Sequence, residues 1–195
     1  MNHTNTVEFR ADNGLPVRLR PMKPSDIPYL LDLFRHMSSE SRYLRFNIPL
    51  NDPDPDWLEQ QAAIMAAIDA AEGRGWLAFA DLPGQPDTCV GGIRLIWGED
   101  RETAEVALSV RDDLHGEGIG TSMLRWVAHV AYEEGVRTLI GVAQSRNTPL
   151  WHSLQRLDVP LRRKRDGSYT QIEIDLERVL ALEAERSPSE FTPPE

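Results

Sequence analysis

The chain has 195 residues, 41% hydrophobic and 27% charged, the proportions of one ordinary globular domain with a sizeable core. Its formal net charge of −10 argues against a nucleic-acid surface, which needs a basic face, and no apolar run reaches the roughly 18 residues of a membrane span. A single cysteine, Cys89, excludes an internal disulfide, and "MNHTNTVEFRADNG" has neither the basic start nor the apolar segment of a secretory leader, so the expected location is cytoplasmic.

In chain order, residues 1–14 read as an N-terminal extension. "LPVRLRPM" alternates as a first strand, and "KPSDIPYLLDLFRHMS" predicts a helix with Ser25 as N-cap and Ile27, Leu30, Leu31 and Phe34 at helical spacing. "SESRYLRFNIPL" predicts a short second helix. "NDPDPDWLEQQAAIMAAIDAAEG" predicts a third, with Trp57, Ile64, Met65 and Ile68 inward and a stop near Gly73. "GWLAFA" and "TCVGGIRLIW" flank the loop "DLPGQPD" as antiparallel strands, and "AEVALSV" is the strand after the turn "WGEDRET". A helix follows with Ile119, Met123, Val127 and Val130 on one face. Then come the buried strand "VRTLIGVAQ", a helix with Pro149 in its first turn, and a hairpin about Asp166–Gly167. The tail from 178 reads as helix and then a polar, proline-rich, partly disordered end. These elements give a mixed α/β (α+β) domain over residues 15–177.

Between the third strand pair and the long helix stands "VRDDLHGEGIGTSML". A dinucleotide loop needs its third glycine one position later, where Thr121 sits, and no Gly-Lys-Ser/Thr makes a Walker loop. A flexible turn and a pyrophosphate cradle remain. In the cradle, backbone N–H groups of Gly116, Glu117, Gly118, Ile119, Gly120 and Thr121 face phosphate oxygens at a helix N-terminus.

This stretch resembles the acyl-CoA motif of the GNAT superfamily of N-acetyltransferases, Arg or Gln, two residues, Gly, one residue, Gly. His115 stands at the Arg/Gln position, and Gly118 and Gly120 match. The resemblance implies a mixed central sheet of six or seven strands, splayed at the cofactor site and flanked by helices. Ser109 and Val110 would then offer backbone groups to pantetheine, and Asn147 would contact the cofactor arm. Where the family usually has a Tyr general acid this chain has Leu154, so the acid is unassigned. "SSESRYLRFNIPL" is similar to a segment of bacterial protein-lysine acetyltransferases that modify acyl-CoA synthetases.

The implied reaction moves an acetyl group from acetyl-CoA to a primary amine, a protein lysine among the candidates. Attack is direct, with the Val110 N–H stabilising the oxyanion. A small-molecule amine acceptor and a non-catalytic acyl-CoA-binding regulatory module are the alternatives. At pH 7 only about one lysine in 2,500 is neutral, so a base is needed. Glu105 matches the family's catalytic Glu and asks for partial burial, against the alternative of a surface Glu paired with an Arg. Arg42, Tyr43 and Arg45 suit an acidic acceptor group or the 3′-phosphate, and equally an acidic surface in need of balance. His115 and His152 are weaker proton-relay candidates, Trp151 a candidate cofactor border, and Cys89 a core residue. The histidines show no metal spacing. The expected partners are acyl-CoA and the acceptor, without nucleic acid or membrane, in a monomer or homodimer.

Overall fold

The computed structural model describes residues 6–49 and 51–185. One sheet of eight strands runs through it in the order β1-β2-β3-β4-β5-β6-β8-β7. The strands are β1 (Val7–Arg10), β2 (Pro16–Pro21), β3 (Gly73–Leu82), β4 (Gln85–Trp97), β5 (Thr103–Val110), β6 (Thr138–Gln144), β7 (Leu161–Asp166) and β8 (Tyr169–Asp175). The strand beyond the expected six or seven is β1, which lies within the stretch read as an extension and pairs Val7–Arg10 with Pro16–Leu19. All pairings are antiparallel except β5 with β6.

One face of the sheet carries α4 (Ile119–Glu133), α5 (Thr148–Leu157) and α6 (Leu176–Glu185). The apolar stripe of α4 is the one its spacing predicts: Ile119, Met123, Val127 and Val130 are all buried against Ile93, Leu95 and Val110. The other face carries α1 (Ile27–Arg35) and α3 (Pro55–Ala66), with α2 (Ser39–Phe46) beside them. Leu30, Phe34, Leu58 and Met65 meet Leu77, Phe79 and Cys89 there.

Two local readings are corrected. The α1 N-cap position is Asp26, not Ser25. Its buried carboxylate turns back to Arg20 (2.7 and 3.0 Å) and to the Lys23 N–H (2.7 Å). Helix α3 ends at Ala66 because Asp69 organises a turn, its side chain accepting from Ala71 N–H (2.7 Å) and its carbonyl from Glu72 and Gly73 (2.9 Å each). Gly73 therefore starts β3, where a Cβ would lie 2.1 Å from the Leu95 carbonyl oxygen. On the shortened helix Met65 is buried and Trp57 half-buried, while Ile64 is 56% exposed; Ile68, expected to face inward, lies beyond the helix end and is half-buried. Among the described residues, no helix is long and apolar enough to cross a membrane.

Candidate active site

The sheet opens at one place. β5 and β6 pair only through Thr103–Glu105 against Thr138–Ile140, although β5 stays on β4 to Val110 and β6 stays on β8 to Gln144. Glu105 is thus the last paired residue before the gap. Arg111 N–H donates to Val90 O (3.0 Å), and along an antiparallel strand the polar groups alternate between the two edges. The backbone groups of Val106, Leu108 and Val110 therefore face away from β4, into the gap. The His115 ring confirms the direction, its Nε2 lying 3.0 Å from Val110 O. By the same alternation, set by Ser145 N–H to Ser168 O (2.8 Å), Val142 and Gln144 face the gap from the other side. A cavity of about 560 Å³ occupies this cleft, lined by Glu105, Ser109, Val110, His115, Gly116, Gly118, Ile119, Gly120, Thr121 and Asn147. Of the two backbone contacts expected on β5, Val110 faces the cleft. Ser109 lines it, but its own N–H and C=O turn toward Gly92 in β4.

The glycine loop closes one end. Gly116 (φ 86°) and Gly118 (φ 76°) are left-handed, a conformation glycine adopts without penalty, and Gly118 is the N-cap of α4. Ile119, Gly120 and Thr121 open that helix, so their N–H groups have no partner within it and bear the positive end of its dipole. Glu117 does not line the cavity; its carbonyl accepts from Asp12 N–H (2.8 Å). The His115 N–H is taken by Asp112 O (3.2 Å), so its place in the motif is to hold the loop to β5 through its ring. Sequence reasoning missed Arg156 on α5, which donates to Gly116 O (3.3 Å) and pairs with Asp12 beside Gly118.

At the vertex Glu105 is exposed, not partly buried. Arg45 on α2 lines the same cavity, whereas Arg94 on β4 lines a second one together with Glu72 and Glu99. Across the strands Ile96 faces Glu105 and Arg94 faces Ala107, which makes Arg94 a diagonal neighbour of Glu105 on one sheet face. Burial pushes the Arg45 guanidinium down to about 10, Arg94 adds to that, and Glu105 opposes it. Burial likewise lowers Arg94 against the pull of Glu105. Arg94 was also missed, although a lone cation at an inward position of an apolar strand was the signal.

The remaining candidates fall away from the chemistry or stay at its edge. The Arg42 guanidinium donates to the carbonyls of Phe34 (3.3 Å), Met37 (2.6 Å) and Asn51 (3.4 Å). The Tyr43 ring lies under Arg146, 4.9 Å from its guanidinium. Asn147 caps α5 through Oδ1 to Leu150 N–H (3.1 Å), which leaves its amide NH₂ as the group able to reach the cleft. Leu154, at the usual Tyr position, is 3% exposed and lines the cavity as an apolar wall. Trp151 packs by donating to Ser145 O (3.0 Å) and does not line the cleft. Cys89 is buried, and burial pushes its thiol up to about 12. Among the described residues, no group of three or more His, Cys, Asp or Glu could hold a metal ion.

A mixed sheet that opens between two parallel strands, with a glycine loop and a helix N-terminus at the opening, is the arrangement that the resemblance to the N-acetyltransferases implied. The chain belongs to the GNAT acetyltransferases: the family's Acetyltransferase (GNAT) domain matches residues 17–159. Membership makes it an acyltransferase enzyme. An acetyltransferase of Pseudomonas aeruginosa is 24% identical over 136 residues, 70% of this chain and 70% of that protein. The solved GNAT domain of S. lividans PAT has the same fold, with a TM-score of 0.73, 21% identity, and coverage of 87% of this chain and 96% of that one. The cAMP-binding acyltransferase from Mycobacterium smegmatis is similar with a TM-score of 0.61 and 20% identity over 98% of this chain, which spans 51% of that larger protein.

Proposed function

We propose that this chain is an N-acetyltransferase that takes the acetyl group of acetyl-CoA and passes it to a primary amine by direct attack, with Glu105 as general base. The observation that carries the reading is the unpaired inner edge of β5. It runs from Glu105 at the vertex, past the backbone of Val106, Leu108 and Val110, to the glycine loop. An extended arm bearing amides, with a pyrophosphate at its far end, matches that series: strand-edge groups for the amides, orphan N–H groups for the phosphates. The thioester then lies on this edge between the loop and the vertex, where an N–H facing the cleft is the donor for its oxygen; Val110, the expected donor, stands at the loop end of the edge, five residues from Glu105.

The amine arrives as ammonium. The Glu105 carboxylate draws it in and accepts its proton, and the acceptor itself supplies the burial that the open site lacks. The products are the amide and the CoA thiol, and no covalent enzyme intermediate forms. Leu154 leaves no phenol at the cleft wall, so the departing thiolate takes its proton from water or from the acceptor's own released proton. A pH–rate profile of kcat/KM tests the assignment. Glu105→Gln keeps the shape but cannot accept a proton, so it lowers turnover 100-fold or more at pH 7, with acetyl-CoA affinity within about threefold of the parent. The deficit shrinks toward pH 10 as solvent supplies neutral amine. Wild-type rates at pH 7 would sink the assignment, and a deficit constant across pH would make Glu105 a positioning group.

A further inference from the structure

A glycine inside a strand weakens it and leaves a gap where a side chain would pack. In β3 and β4 the gap is needed: a Cβ on Gly73, Gly75, Gly91 or Gly92 would stand 2.1, 3.3, 2.9 or 3.1 Å from a neighbouring atom. Gly141 in β6 differs. Its φ lies outside the left-handed region, so the backbone does not require glycine. The register with β8 runs unbroken past it, so it is not a bulge. Beyond its chain neighbours, the nearest atom among the described residues to a Cβ there would be Val106 O, at 4.0 Å. The remaining reason for a strand glycine is the close approach of a ligand.

Gly141 is the first residue of β6 past the Glu105–Ile140 pair, so it stands at the vertex of the cleft. Leu139 and Ala143 are buried in the core with α4, and by alternation the missing side chain of Gly141 would point the same way. Ile172 faces Gly141 from β8. On this side the cavity wall is made by Val106, Ala143, Leu154, Ile172 and Ile174, aliphatic throughout. Leu154 leaves further room, because the family usually has a larger tyrosine there. Glu105, as the partner of Ile140, lies on the opposite face of the sheet.

We propose that the gap at Gly141 is an acyl pocket, and that the donor's acyl group is a saturated chain of three or four carbons, propionyl or butyryl, rather than acetyl alone. The proposal rests on the acetyl-transfer reading for the direction of the arm. With the thioester between the loop and the vertex, the acyl chain continues to the vertex, where the room is that of one missing aliphatic side chain. The wall residues carry no cation, so a chain ending in a carboxylate would lose its hydration without gaining a partner. The reaction keeps its balance: the amine nitrogen bonds to the acyl carbon, the carbon–sulfur bond breaks, and the proton leaving the amine ends on the CoA thiol. The amine meets Glu105 on one face of the sheet while the acyl tail lies on the other.

The test titrates acetyl-, propionyl-, butyryl- and succinyl-CoA into the protein by calorimetry, without an amine. Each buried methylene contributes about 0.8 kcal/mol, about fourfold in affinity, so butyryl-CoA should bind roughly 15-fold tighter than acetyl-CoA. Succinyl-CoA has the same four carbons but ends in a carboxylate, and should bind no tighter than acetyl-CoA. Gly141→Ala puts one methyl group into the gap and should lower the butyryl-to-acetyl affinity ratio about fourfold, and Gly141→Val should bring it to about one. Gly141→Ala should melt level with the parent or higher, since its Cβ meets only an ordinary contact and alanine loses less backbone entropy. Equal affinities for acetyl- and butyryl-CoA in the parent overturn the proposal, and so does a butyryl preference unchanged in Gly141→Ala.

With an amine that accepts acetyl, kcat/KM should follow the same order of donors. A chain-length preference in binding with no amine acylated supports the pocket and sinks the acetyl-transfer reading alone. Acetyl transfer with no chain-length preference leaves that reading standing and removes this one.

Discussion

Two glycines of one motif are expected to respond in opposite ways to the same methyl group. Gly118 is left-handed at φ 76°, and a Cβ there would stand 2.6 Å from one Asp12 carboxylate oxygen and 2.9 Å from the other. Left-handed backbone costs an L-residue about 1–2 kcal/mol, and losing the exposed Asp12–Arg156 pair adds up to about 1 kcal/mol. Gly118→Ala is therefore expected to lose about 1–3 kcal/mol, roughly 2–12 °C in melting temperature for a chain of this length. Gly120 is helical, and its Cβ would make ordinary contacts with Leu108 (3.5 Å) and Val110 (3.6 Å). Gly120→Ala should leave the melting temperature level or raise it by about 1–3 °C, since alanine loses less backbone entropy in a helix. On the proposed CoA reading, both substitutions put a methyl group where the backbone approaches a phosphate. A charge-assisted hydrogen bond contributes about 1.5–3 kcal/mol, so CoA affinity should fall roughly 10- to 150-fold in each. Thermal melts of the free protein and calorimetric titration with CoA measure the two effects separately. Full affinity in both variants would return the loop to a simple turn. Equal destabilisation by both would refute the local backbone reasoning.

Acetyl-CoA and CoA should raise the melting temperature by mass action while NAD at the same millimolar concentration should not; equal shifts would count against a CoA-shaped cleft. Asp26 gives a pH signature. Burial alone would raise its carboxyl, but Arg20 and the Lys23 N–H outweigh that and hold it below the usual carboxylate range. A depressed acid contributes stability that is present above its unfolded pKa and lost as pH falls through its folded one. Asp26→Asn should therefore cost about 3 kcal/mol at neutral pH and flatten the acid limb of the stability curve, as urea melts at several pH values would show.

The fold was legible wherever a periodic apolar pattern and a strong punctuation mark agreed. The α4 stripe, the Asp166–Gly167 hairpin and the Pro149 helix start are of this kind. Strand β1 was illegible for a physical reason. "VEFR" is four residues long, sits at a sheet edge, and alternates half-buried with exposed positions, so its pairing with β2 rather than its own composition makes it a strand. The α3 boundary was misplaced because alanines continue a helical pattern as readily as they end one. It is the Asp69 side chain, invisible to periodicity, that stops it.

The cleft divides in the same way. Its glycine-loop end was readable because glycines at fixed spacing before a helix constrain the backbone. Its vertex was not, because the charged groups that line it come from separated segments, Arg45 on α2 and Glu105 on β5. No spacing in the chain links them. What brings them together is the register that sets Ile96 opposite Glu105, combined with the departure of β6 one residue later. The residue that ends a parallel ladder is also the residue whose side chain has open space beyond it. Placing Glu105 there puts a carboxylate at the vertex of the cleft, facing the space that the departing strand leaves.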